Sequence, residues 1–325
     1  MSPGMLVEGE WKTEERIPRD PEGRFVRSTT AFRDWVTADG SSGFEAQAGR
    51  YHLYIAWACP WAHRAALLRK LKGLEEAISL SAVGSFMGDD GWAFYDEPGV
   101  VSDTVNEAYY LREIYQKADP NYTGRVTTPV LWDKETGTIV NNESRDIIRM
   151  LDHEFDAVRG VRADVDFCPQ ELREEIDLTM DDLYEPVNNG VYKSGFATTQ
   201  EAYEEAVTVL FDALDRWERV LGERRYLCGG RITEADWAFF ATLVRFDSVY
   251  YGHFKCNVRR IVDYPNLWAY LRDLYQQPGV AETVNMDHIK RHYYRSHASI
   301  NPTGIIPKGP AIDFERPHDR ERLSG

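Results

Sequence analysis

Apolar residues fall in short blocks through the first half of the chain and recur at helical spacing through the second. The block YHLYIAW at 51–57 is almost continuously apolar or aromatic and includes the β-branched Ile55, the pattern of a buried strand. Cys59 and Pro60 follow. Trp61, Ala65 and Leu68 then share one helical face, with Leu67 and Leu71 beside it. Pro60 suits the first helical position, where its missing N–H has no intrahelical partner to lose. Gly73 suits the C-terminal cap, and Arg69, Lys70 and Lys72 occupy the last turn, where the helix dipole favours cations. Residues 78–83 read as a second strand. Residues 84–104, rich in Gly, Asp and aromatics including Trp92, Phe94 and Tyr95, predict a long loop of the functional or disordered kind.

Helical spacing returns at 105–117 through Leu111, Ile114 and Tyr115. RVTTPVLW at 125–132 reads as a strand interrupted by Pro129. A proline there marks an edge or a special backbone site, and a cis bond before Pro129 accounts for it. Thr136-Gly137 turns the chain into Ile139-Val140, and Asn142-Glu143-Ser144 opens another helix. The predicted order is β-α-β, then α, then β-β-α.

Beyond Pro169 strand signals fade. Thr198 with Glu201 forms a capping box ahead of Tyr203, Val207, Leu210, Leu214, Trp217 and Leu221, ending at Gly222. Thr233 with Asp236 forms a second box ahead of Trp237, Phe240, Leu243 and Val244. Residues 265–275 make another short amphipathic helix. The expected organisation is an irregular arm over 1–50, docked through Trp11, Phe25, Phe32 and Trp35, an α/β domain over 51–160, and an all-helical domain over 161–325. An extended tail carrying Pro302, Pro307 and Pro310 closes the last of these.

A length of 325 residues suits two domains, and 43% hydrophobic and 28% charged residues are ordinarily globular. The net charge of −15 argues against a nucleic-acid surface. There is no apolar run long enough for a membrane span and no secretory-signal pattern at the N-terminus. Cys59, Cys168, Cys228 and Cys256 lie far apart, without metal-ligand or disulfide-framework spacing, so no metal and a reducing cytoplasm are expected. Cys59 is the candidate nucleophile. It falls at a helix N-terminus directly after a strand, where unpaired N–H groups and the dipole favour a thiolate. The bland alternative is a buried cysteine ahead of a helix. Strand–Cys-Pro–helix resembles the nucleophile seat of thioredoxin-like folds, but Ala62 stands where a second cysteine would complete CxxC. A lone thiol needs an external thiol to resolve its disulfide. Cys168-Pro169 imitates the pair without a preceding strand, and Cys168, Cys228 and Cys256 are read as structural. His63, one turn past Cys59, is read as a packed helix residue rather than a base.

A thioredoxin-like half joined to a helical half with a Thr-x-x-Asp box resembles the glutathione transferase superfamily. CPWAHR at 59–64, NNES at 141–144, RFDSVYYGHFKCN at 245–257, YPNLWAYLRDLYQ at 264–276, HIKRHYYRSH at 288–297 and NPTGIIPKGP at 301–310 are similar to the glutathionyl-hydroquinone reductases, the Xi class. The resemblance runs from about residue 35 to 310 and departs at Arg145-Asp146, where a small polar residue and then an acid are expected. It implies a thioredoxin-like N-terminal domain followed by a helical transferase domain, glutathione as co-substrate, and a homodimer. Cys59 would take glutathione from a glutathionyl-hydroquinone, and free glutathione would release it. The resemblance assigns the cysteinyl part of glutathione to the Val130 backbone and the γ-glutamyl end to Glu143 and Ser144, where donors at a helix start suit a carboxylate. Trp92 and Arg125 match residues lining that site, and Tyr192, Tyr250 and Tyr293 match the hydroquinone pocket, with Tyr251 and Tyr294 as neighbours. Without the resemblance, NNES is a helix cap, Trp92 a packing aromatic and the tyrosines three of eighteen. Two rival readings remain: a cysteine-type transferase with dehydroascorbate reductase or thiol-transferase activity, and a redox-inert interaction module.

Overall fold

A computed structural model describes residues 4–13 and 18–323. The chain divides into two compact units, each drawn from separated segments. The first comprises Met1–Ile17, Ser28–Asp166 and Glu282–Ile305, and the second Pro18–Arg27, Phe167–Ala281 and Ile306–Gly325. This differs from consecutive division at about 50 and 160.

The first unit opens with an unforeseen hairpin, β1 (Met5–Val7) and β2 (Glu10–Lys12), whose two-residue loop Glu8-Gly9 has positive φ at both positions. That loop suits the right-handed twist of a short ribbon, but Glu-Gly is a weaker signal than Asn-Gly or Asp-Gly. Next come β3 (Tyr51–Ile55), α1 (Pro60–Leu71), β4 (Ile78–Ala82) and α2 (Leu111–Ala118). The series ends with β5 (Val130–Asp133), β6 (Thr138–Asn141) and α3 (Ser144–His153). The sheet order is β4-β3-β5-β6, with β3 parallel to β4 and β5 antiparallel to both β3 and β6. All five residues of β3 are buried, as expected of a central strand that shows no alternation. The predicted order is therefore observed, and it is the thioredoxin-like arrangement.

Two helix starts lie later than the spacing suggested. Residues 105–110 are not helical, because the Asp103 carboxylate captures the N–H groups of Val105 (2.9 Å), Asn106 (3.1 Å) and Ala108 (3.2 Å). A carboxylate that bonds nearby backbone competes with helical pairing. In the second unit the long helix is capped by Thr199, whose hydroxyl accepts from Ala202 N–H at 3.2 Å, while the Thr198 N–H donates to the Gly23 carbonyl at 3.1 Å. The expected Thr198–Glu201 box therefore does not form: Thr199 caps the helix alone, because Ala202 has no side-chain acceptor to return the bond.

That unit contains α4 (Arg173–Leu183), α5 (Gly190–Phe196), α6 (Gln200–Glu223), α7 (Glu234–Arg245) and α8 (Pro265–Tyr275). α7 is buried along its whole length. Its box forms as predicted: the Asp236 carboxylate accepts from Thr233 N–H (2.7 Å), Leu227 N–H (2.9 Å) and the Tyr270 hydroxyl (2.8 Å). Burial pushes the Asp236 carboxyl up, and these donors oppose that. π-helical turns at Tyr184–Asn188 and Phe246–Tyr250 follow α4 and α7.

The arm is shared between the units. Phe32 stacks on Tyr122 (5.5 Å between centroids) and Trp35 donates to Glu154 (3.1 Å) in the first. Phe25 meets Phe196 (5.5 Å) in the second. α9 (Met286–Ser296) belongs to the first unit, whereas the tail from Ile306 runs with the second, where Phe314 stacks on Tyr275 at 4.8 Å.

Candidate functional site

β3 delivers the chain to Trp57-Ala58 and then to Cys59, which is the N-cap of α1 in extended conformation (φ −74°, ψ 122°) with Pro60 at the first helical position. The Cys59 carbonyl accepts from His63 N–H at 3.0 Å, the first bond of the helix. The thiol is half-buried. Its Sγ lies 3.5 Å from the Thr128 carbonyl oxygen, immediately before a cis Thr128–Pro129 bond and the start of β5 at Val130. Cys59 also packs at the edge of a buried cluster containing Tyr54, Trp92, Tyr115, Val130 and Trp132. Chain segments far apart in sequence thus bring Cys59, Val130 and Trp92 around one core. The other three thiols are buried. Burial pushes Cys228 up to about 11 and Cys256 up to about 12.

The β6–α3 junction carries two further residues expected of the site. Glu143 is the N-cap of α3: its carboxylate accepts from Arg145 N–H (3.2 Å) and from the Ser144 hydroxyl (3.4 Å). The asparagines ahead of it are structural. Asn141 Oδ1 accepts from Glu143 N–H at 2.7 Å, and Asn142 Nδ2 donates to the Tyr115 hydroxyl at 3.1 Å, which donates in turn to the Thr127 carbonyl at 2.9 Å. The departure at Arg145-Asp146 has a local use, because Asp146 forms a two-bond ion pair with Arg33 of the arm (2.6 and 3.1 Å). Ser144 is buried and receives a bond from Arg64 Nη1 at 3.5 Å. Arg64 closes the CPWAHR motif and is almost wholly buried, with its guanidinium 4.6 Å from the Trp61 ring centre. It links the two motifs, and sequence reasoning missed it. A basic residue on the buried face of α1 was the available signal.

Trp92 is buried in the long loop and stacks on His292 of α9 (4.7 Å, 27° between planes). Arg125 reaches the Gly4 carbonyl at 3.4 Å. His63 is a packed residue, as read: its Nε2 lies 2.9 Å from the Thr283 hydroxyl. Tyr293, on α9, belongs to the first unit and neighbours His292 and His297 (5.2 and 5.6 Å between centroids).

In the second unit Tyr192 and Tyr250 face each other at 6.1 Å around Phe254, which stacks on Tyr250 at 5.6 Å. Arg27 covers the Tyr192 ring at 4.9 Å and is held by a 2.8 Å bond to Asn189. Two of the three sequence-selected tyrosines therefore share one aromatic cluster, at the π-helical turn that ends in Tyr250.

Comparison with known proteins places this geometry. The family model described as "Glutathione S-transferase, N-terminal domain" matches residues 58–154, and its C-terminal counterpart matches residues 200–273. A relative from Escherichia coli K12, glutathionyl-hydroquinone reductase YqjG, is 53% identical over 98% of both chains. The Xi class transferase from Natrialba magadii superposes with a TM-score of 0.93 at 53% identity, covering 99% of this chain and 98% of that one. The chain belongs to the Xi class of the glutathione transferase family. Another neighbour, the glutathione-bound structure of YqjG, a glutathione transferase homolog from Escherichia coli K-12, has a TM-score of 0.89 at 51% identity, over 97% of this chain and 99% of that one. The Xi-class match spans both units, including the α9 segment that lies beyond the two family models. Among the described residues, no helix is long and apolar enough to cross a membrane.

Proposed function

We propose that this enzyme reduces glutathionyl-hydroquinones to hydroquinones, with glutathione as co-substrate and Cys59 as nucleophile. The observation that carries the reading is the half-buried Cys59 thiol at the start of α1, with Sγ facing the Thr128 carbonyl. The 53% identity to a protein named for that activity supports it, as does a glutathione-bound relative of the same fold.

The Cys59 thiolate attacks the sulfur of the conjugate. An Sγ–S bond forms, the carbon–sulfur bond breaks, and the ring carbon takes a proton to give the hydroquinone. Free glutathione then attacks the glutathione sulfur of the mixed disulfide, Cys59 leaves as thiolate, and glutathione disulfide departs. Electrons balance: the ring carbon gains two electrons, one from each of the two glutathione sulfurs that end as the disulfide. Ala62 in place of a second cysteine makes glutathione the resolving thiol.

In this reading the Val130 backbone pairs with the cysteinyl part of glutathione, and Glu143 and Ser144 at the start of α3 hold the γ-glutamyl end. Donors at a helix start suit its carboxylate, and Glu143 suits its amino group. Trp92 and Arg125 line the same site. Tyr192, Tyr250 and Tyr293 recognise the ring and its hydroxyls: Tyr250 and Tyr293 are buried and Tyr192 half-buried, and phenols withdrawn from water seek polar partners. A reducing cytoplasm and a homodimer complete the proposal. Four free cysteines suit the first, and light scattering on the purified protein checks the second. Turnover of a glutathionyl-hydroquinone with glutathione, alongside Cys59→Ser, tests the whole. Full activity in the variant overturns it.

A further inference from the structure

The loop at 84–104 has no regular element of its own, yet α9 holds it along one stripe. His288, His292 and Ser296 recur at four-residue spacing, so they share a helix face. His288 Nε2 lies 2.7 Å from the Pro98 carbonyl, His292 Nδ1 lies 3.2 Å from the Ser85 carbonyl, and the Ser296 hydroxyl accepts from Met87 N–H at 2.9 Å. The approach is close: a Cβ at Gly99, whose φ is +93°, would meet His288 Nε2 at 2.7 Å. The other face of the loop reaches the nucleophile turn, where Trp57 Nε1 donates to the Gly99 carbonyl at 2.8 Å. Trp92 lies inside this loop. Its carbonyl is fixed by Leu111 N–H at 2.9 Å, and the His292 ring lies against its indole.

We propose that His292 is a positioning residue that sets the Trp92 indole for glutathione. The bond from Nδ1–H to the Ser85 carbonyl fixes the imidazole plane, and the stacked imidazole then limits rotation of the indole. Tyr293 is the next residue on α9, so the helix that aligns Trp92 also carries a tyrosine assigned to the hydroquinone. The inference rests on the reading of Trp92 as a glutathione-site residue.

The test compares His292→Leu, His292→Phe, His292→Asn and Trp92→Leu in the full chain, measuring kcat and KM for glutathione and for a glutathionyl-hydroquinone. Phe keeps a flat ring against Trp92 and loses the Ser85 bond. Asn keeps a short donor and loses the ring. The expected result for His292→Leu is a roughly 2- to 10-fold rise in both KM values, the range an aromatic pair contributes, with kcat nearly unchanged. His292→Phe restores most of the loss and His292→Asn does not. If His292→Leu does not fold, the Phe and Asn variants decide between ring and bond. Recovery by Asn and not by Phe overturns the proposal, since the Ser85 bond alone would then matter. Unchanged KM values in His292→Leu beside raised values in Trp92→Leu also overturn it, and leave the glutathione reading standing. Unchanged KM values in Trp92→Leu refute the role of Trp92 itself, and the proposal with it.

Discussion

Each compact unit contains one Cys-Pro pair, and the two behave as opposites. In the first, Cys59-Pro60 follows a buried strand and opens a twelve-residue helix, and the thiol is half-buried. In the second, Cys168 has no exposed surface, and Pro169 precedes the three-residue 3-10 turn Gln170–Leu172, which leads directly into α4. The Phe167 carbonyl ahead of it accepts from Glu234 N–H at 2.9 Å, at the first turn of α7. The same dipeptide therefore seats the proposed nucleophile in one place and packs a helix start in the other. What differs is the flanking structure. A strand that ends at a helix start presents the thiol to unpaired N–H groups and to substrate, whereas a loop that ends in the core does neither.

The widest separation is expected from serine at each position. Cys59→Ser removes the proposed nucleophile and should lower turnover of a glutathionyl-hydroquinone by at least ~10³-fold, the scale seen when a covalent nucleophile is lost. Cys168→Ser should leave turnover within about twofold. It should cost about 1–3 kcal/mol of stability in urea unfolding, because a hydroxyl replaces a buried thiol. Comparable activity losses in the two variants would erase the distinction.

A smaller effect separates nucleophile from leaving group. Tyr192→Phe, Tyr250→Phe and Tyr293→Phe each keep the ring and lose the hydroxyl. The variant lacking the proton donor should lose about 10²-fold in hydroquinone release, at the low end of general-acid contributions. Reduction of a small mixed disulfide should change little, since it has no ring to protonate. Equal losses on both substrates would assign the tyrosines to the fold.

Much of this was legible because local signals agreed with one another. Strand, proline and basic last turn around Cys59 all point to one geometry, and α8 begins at the proline and ends at the tyrosine that its spacing suggested. Signals failed where a side chain intervened. Asp103 bonds the backbone that would have begun α2 early, and Thr198 is diverted to Gly23, leaving Thr199 to cap α6. Nothing local could show that α9 folds with the first unit, since the stripe of His288, His292 and Ser296 gains meaning only against a loop 190 to 209 residues earlier. The role of Arg64 was equally hidden, because its partner Ser144 lies on another helix.

The smallest predicted effect concerns acid, and each unit holds one relevant histidine. Burial lowers His52 in the first unit and His253 in the second to about 4, from the ordinary 6.5. Both are neutral when folded and bind protons more readily when unfolded, so stability is present above pH 6.5 and is lost as pH falls toward about 4. Each should account for about 2 kcal/mol of loss between pH 7 and pH 5. His52→Gln and His253→Gln, compared with wild type by urea unfolding at the two pH values, should each remove about that much of the pH dependence. A slope unchanged in both variants would mean other groups govern acid sensitivity.

In the proposed mechanism Cys59 works as a single thiol resolved from outside. Intact mass after treatment with glutathione disulfide, followed by peptide mapping, tests it most directly. The expected product is one reducible glutathione adduct per chain, located on Cys59, and no internal disulfide. A disulfide joining Cys59 to Cys168, Cys228 or Cys256, or an adduct on one of those three with Cys59 left free, would contradict it.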